Sequence, residues 1–125
     1  MDEYASVRYV VDDVQAAIDF YTDHLGFTVL SHPAPPFADV VRGHLRVLLS
    51  GPPSSGARAT PPDASGPGRN RIHLVVDDLD EHLERFRAAG VSLRSEVVEG
   101  PGGRQVLVAD PSGNLVEIFE AAARD

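Results

Sequence analysis

The sequence predicts an α+β fold built from one strand–helix–strand–strand–strand unit written twice. Three observations predict it: an internal repeat, two apolar stripes at helical spacing that each run into glycine, and strand-like runs punctuated by Gly/Pro turns. In the repeat, Val7-Arg8-Tyr9-Val10-Val11-Asp12-Asp13-Val14 returns as Ile72-His73-Leu74-Val75-Val76-Asp77-Asp78-Leu79, a shift of 65 residues.

Each copy begins as a β-branched strand and ends in an Asp pair suited to helix N-capping. Capping-box spacing pairs Asp12 with Gln15 and Asp78 with Glu81. In the first helix Val14, Ala17, Ile18, Tyr21 and Leu25 form one apolar stripe; in the second, Leu79, Leu83 and Phe86 do. Gly26 and Gly90 supply left-handed C-caps. Strands are expected over residues 27–30, 37–41 and 44–50 in the first half, and over 91–98, 105–109 and 115–120 in the second. Turns fall at Gly100-Pro101-Gly102-Gly103 and Asp110-Pro111-Ser112-Gly113. The chain therefore reads as a single domain, 1–125, with a first module over 1–50, a joining segment over 51–70 and a second module over 71–125. Its prolines argue against regular structure in the joining segment. The segment reads as a linker, or more sharply as a lid over the site.

Composition sets limits. The chain has 125 residues, enough for one core, with 42% hydrophobic and 24% charged residues. No cysteine is present, which removes disulfides, thiolate metal sites and a cysteine nucleophile. A formal charge of −8 argues against nucleic-acid binding. No apolar run approaches bilayer length, so no membrane partner is expected and the cytoplasm is the expected location.

Asp12 to Phe27, read as Asp-Asp-Val-x-x-Ala-x-x-Phe-Tyr-x-x-x-Leu-Gly-Phe, resembles the opening motif of the vicinal oxygen chelate superfamily, which includes glyoxalases, bleomycin-binding proteins and extradiol dioxygenases. Asp110 to Glu117, read as Asp-Pro-Ser-Gly-Asn-x-x-Glu, resembles its closing motif. The resemblance implies paired βαβββ modules whose mixed sheets curl into an open cup, helices on the convex side, ligand in the concave side, and a homodimer.

The resemblance also implies metal ligands seven residues before the second Asp of each cap pair, and at the closing glutamate. These positions hold Ser6, Arg71 and Glu117. A serine hydroxyl is a poor ligand, and a guanidinium has no lone pair to give. No metal and no cofactor are therefore expected. Strand alternation, from Ser6 and Arg71 on the first strands and from the apolar rows on the others, turns Arg8, Val10, His44, Arg46, Leu48, Ser50, His73, Leu115, Glu117 and Phe119 into the cup. The expected ligand-binding set is Arg8, His44, Arg46, Arg71, His73, Glu117 and Phe119: a cationic pocket around one carboxylate, with Arg71, aided by Arg8, balancing Glu117. A contact at the sheet rim or dimer seam would explain the same arginines.

A rescued zinc site from His44, His73 and Glu117 has suitable atoms but stands among three arginines. His24, His32 and His82 read as helix-end or solvated residues, and Tyr21 as core. The leading functional expectation is a metal-free small-molecule binder for an antibiotic or metabolite, the ligand anionic or polar aromatic. The alternative is a lyase, isomerase or dioxygenase-like enzyme using Glu117 or a cup histidine as catalytic base. A third is a regulatory or structural dimer with a vestigial cup.

Overall fold

A computed structural model describes residues 4–59 and 70–123 of the chain. They fall in two compact units, within Met1–Pro67 and within Gly68–Asp125, and each is described by itself. The first runs β1 (Ala5–Val10), α1 (Val14–Leu25), β2 (Thr28–Ala34), β3 (Phe37–Arg42), β4 (Leu45–Ser50), α2 (Ser55–Ala59). The second runs β5 (Ile72–Val75), α3 (Leu79–Ala89), β6 (Ser92–Leu93), β7 (Val98–Gly100), β8 (Gly103–Ala109), β9 (Leu115–Ala121). Each unit carries its own mixed sheet, and neither sheet closes. The order is β1-β4-β3-β2 in the first and β5-β9-β8-β6 in the second, with β7 also on β8. The first strand of each sheet pairs in parallel with the last, β1 with β4 and β5 with β9.

The repeat is kept at the level of backbone. Asp13 and Asp78 are the N-caps, both at φ −135°, accepting from Ala16 N at 3.0 Å and Glu81 N at 3.1 Å. The expected Asp12–Gln15 box does not form; the cap is one residue later, and the Gln15 amide bonds Asp19 within the helix. Gly26 and Gly90 both take φ +73°, the left-handed conformation a side chain resists. Val14, Ala17, Ile18, Tyr21 and Leu25 are buried, as are Leu79, Leu83 and Phe86, so both predicted stripes face a core. Tyr9, Val47, Leu49, Ala38 and Val40 face the helix side in the first unit. Ile72, Leu74, Val106, Val108, Val116 and Ile118 do so in the second.

Three expectations change. The joining segment is not wholly irregular: Ser55–Ala59 form a short helix, because the Ser54 hydroxyl accepts from Ala57 N at 3.2 Å and donates to Gly51 O at 2.7 Å. Residues 60–69 of the expected linker or lid lie outside the described residues. The strand expected over 91–98 is broken into β6 and β7, since between them the Ser95 hydroxyl, not a strand carbonyl, takes the Leu107 N–H at 3.0 Å. The fourth strand of the first module, expected from residue 44, begins at Leu45, with Gly43 at φ +61° turning the chain ahead of it.

The closing turn has a structural function of its own. Asp110, 3% exposed, accepts from Ser112 N at 2.9 Å, Asn114 N at 2.8 Å and Asn114 Nδ2 at 3.0 Å. It thereby fixes where β9 starts and which of its residues face outward from the core. Asp110→Ala should cost about 2–3 kcal/mol by stranding these buried donors. Urea melts that left the variant within about 0.5 kcal/mol of wild type would contradict this.

Candidate functional site

Residues paired across a sheet share a face, so the register assigns each side chain. In the second unit His73 lies opposite Glu117, which lies opposite Leu107; Val75 lies opposite Phe119, which lies opposite Gln105. This open face alternates with the buried Ile72, Leu74, Val116 and Ile118. Arg71, two residues before His73, shares it. Arg71 Nε donates to Glu117 Oε1 at 2.9 Å, and His73 Nε2 stands 3.4 Å from Glu117 Oε2. Side-chain exposure grades outward: 11% for Glu117, 34% for Arg71 and 47% for His73. The carboxylate is thus sunk beneath two nitrogenous groups. Beside it the Phe119 and His73 rings stand 5.0 Å apart at 38°, and Val75 is 58% exposed. Only Nε of Arg71 is bonded among the described residues, so both terminal nitrogens of its fork have no partner there, and the side chain is 34% exposed.

The first unit's open face follows the same logic with different residues. One cross-strand row is Ser6, Arg46, Val41, Thr28; the next is Arg8, Leu48, Asp39, Ser31. Asp39 is 1% exposed, accepting from Arg46 Nε at 2.6 Å and from the Ser31 hydroxyl at 2.5 Å. Burial pushes its carboxyl upward, but the hydrogen bonds from Ser31 and Arg46, with the guanidinium charge, outweigh that and hold it below the ordinary 3.8. Arg8 Nη1 donates to Ser50 Oγ at 2.8 Å, and Gly56 of α2 packs directly on its guanidinium; a Cβ at Gly56 would overlap it.

The structure therefore brings Arg71, His73, Glu117 and Phe119 together in the second unit, and places Arg8 and Arg46 on the open face of the first. His44 lies exposed between Gly43 and β4, with its carbonyl accepting from Ala5 N at 2.8 Å. The expectation of a single carboxylate is corrected: Asp39 is a second one, and it engages Arg46. Its signal was present, an acid in the middle of a strand and in phase with Phe37 and Val41.

The residues present do not fit a divalent metal. Around Glu117 the donor set is one carboxylate and one imidazole, and the third neighbour is a permanent cation already occupying Oε1. Among the described residues no three His, Cys, Asp or Glu side chains converge as a metal group.

With this geometry in hand, known proteins place the chain. The family model described as Glyoxalase/Bleomycin resistance protein/Dioxygenase superfamily matches residues 3–118. A Mycobacterium bovis protein of uncharacterised function, Mb0911c, is 31% identical over 117 residues, covering 87% of this chain and 77% of its own. The crystal structure of lactoylglutathione lyase from Agrobacterium tumefaciens superposes with a TM-score of 0.72 at 25% identity, covering 96% of this chain and 94% of that one. TnmS3, an antibiotic-binding protein from Streptomyces sp. CB03234, superposes at 0.74 with 23% identity and 98% of both chains covered, a likeness of fold alone.

Two measurements check the electrostatics. Removing Arg71 strands a buried acid, so Arg71→Ala should destabilise the fold, and Arg71→Ala with Glu117→Gln should recover much of the loss. With Arg71 one-third exposed, the coupling in a double-mutant cycle should be about 1–2 kcal/mol. Strictly additive melts would show that the pair carries no coupling. For Asp39, the folded carboxyl lies below its unfolded value, so its contribution is full above 3.8 and is lost as pH falls through the folded value. The stability gap between wild type and Asp39→Asn should hold constant from about pH 7 to 5 and shrink below about 4. A gap independent of pH to the acid transition would disprove it.

Proposed function

The chain belongs to the Glyoxalase/Bleomycin resistance protein/Dioxygenase superfamily, and from that premise we propose that it binds a small anionic, flat aromatic molecule without a metal. The observation that carries the reading is the Arg71–Glu117 pair. The guanidinium fills the charge-balancing role beside a sunken carboxylate, and its two terminal nitrogens have no partner among the described residues. Glu117 fixes the fork, so little of its rotational freedom is lost on binding an oxyanion. The adjoining Phe119 and His73 rings and the exposed Val75 offer an apolar surface for a ring system.

The fold itself does not choose between functions, since an antibiotic-binding protein and a lyase share it. What supports binding is the site. One contact supports a second reading: His73 stands against Glu117 with nearly half its side chain open, the arrangement of a carboxylate-oriented general base. In that reading a lyase or isomerase step would begin with proton abstraction by His73, and His73→Ala would lose turnover while keeping affinity.

Calorimetric titration of EDTA-dialysed protein with 2-naphthoate tests the proposal. Saturable binding is expected, weakened roughly ten-fold or more by Arg71→Met, the scale of one lost charge-assisted pair. Phe119→Ala should weaken it less. Binding indifferent to Arg71, or stoichiometric zinc that survives dialysis and vanishes with Glu117→Ala, would overturn it.

A further inference from the structure

We propose a second oxyanion-binding site, in the first unit, at the outer edge of Arg46. It is built from residues of that unit only and does not depend on the reading of Arg71. The argument begins with Asp39. A buried ion pair is a weak way to stabilise a sheet, because apolar residues of similar size commonly do as well or better. Yet Asp39 sits at 1% exposure between the buried Ala38 and Val40. What the carboxylate does accomplish is orientation. Ser31 occupies Oδ1, and Oδ2 takes Nε of Arg46, so the guanidinium is pinned by its inner edge alone.

The outer edge is then committed. Neither terminal nitrogen of Arg46 has a partner among the described residues, and the side chain remains 35% exposed. Those two nitrogens present parallel N–H groups, the geometry that takes a carboxylate or a phosphate in bidentate fashion. The surrounding row adds donors rather than competitors. Ser6 lies directly across β1 from Arg46, and Thr28 shares the row two strands away; both are exposed hydroxyls. Arg8 stands in the next row, so the face holds two guanidiniums against one carboxylate whose oxygens are both engaged. The sign is positive in a protein of net charge −8. The ligand class that satisfies this set is an oxyanion, whether the carboxylate of an organic acid or a phosphate group.

Arginine Nε–Hε correlation spectra of the full chain test it, titrated separately with sodium benzoate and inorganic phosphate at fixed ionic strength against a chloride blank. The Arg46 signal, identified by its loss in Arg46→Lys, should shift saturably with at least one of the two, and the responding anion names the source. Asp39→Asn keeps the shape but releases the fork, and should raise Kd roughly ten-fold. If that variant does not fold, Ser31→Ala removes one clamp and should weaken binding to a smaller extent. Arg71→Met should leave the Arg46 response intact. An Arg46 signal that stays still under both anions overturns the site, even if Arg71 responds. So does an Asp39→Asn variant that folds and binds as tightly as wild type. An Arg46 response beside a silent Arg71 would uphold this site while removing support from the reading of the second unit.

Discussion

A carboxylate drawn out of water must be given a cation, and both sheets of this protein are organised around that demand. Glu117 and Asp39 sit beneath their open faces at 8% and 1% exposure. Leaving either charge bare would cost several kcal/mol or force it to protonate. Each is met instead by the Nε edge of one arginine at 2.9 Å and 2.6 Å. Neutralisation by a side chain differs from neutralisation by a metal in one consequential way. A metal is spherical and accepts donors from several directions, whereas a guanidinium is planar, donates only, and has a second edge left over.

The duplicated halves reach this arrangement by different routes. Opposite His73 on β9 stands Glu117; at the matching place opposite Arg8 on β4 stands Leu48. The first unit instead draws its acid from β3, one strand further in, and its arginine from β4. The helix-covered faces could not diverge so freely. Caps, left-handed glycines and apolar stripes recur because packing and backbone geometry admit few substitutes. Where the second unit adds polar groups on that side, they serve the helix. Glu120 accepts from Leu79 N at 2.9 Å at the start of α3, and Arg104 bridges Glu120 and Asp80.

That contrast explains what could be read in the chain beforehand. The repeat, both helices, their C-caps and the inward or outward sense of Arg8, Arg46, Arg71, His73 and Glu117 follow from periods of 3.6 and 2, which are local properties. For Asp39 the sequence carried half the signal: its phase with Phe37 and Val41 put it on the open face, but its clamp by Arg46 is a tertiary contact that no local pattern shows. Ser55–Ala59 formed a helix within a proline-rich stretch because one serine cap was enough for a single turn.

The chain's overall charge sharpens the case for oriented arginines over a diffuse basic pocket. At net −8 the long-range field repels anions, and that repulsion acts over roughly 8–10 Å before physiological salt screens it. Attraction must therefore come from contact, within hydrogen-bonding distance, where direction matters and screening is weak. A mobile arginine would lose side-chain entropy at that moment; one already held by Asp39 or Glu117 has lost it on folding. On the proposed reading, the cost of burying each acid is borne by the folded state, and the benefit comes when a ligand with parallel acceptor oxygens binds.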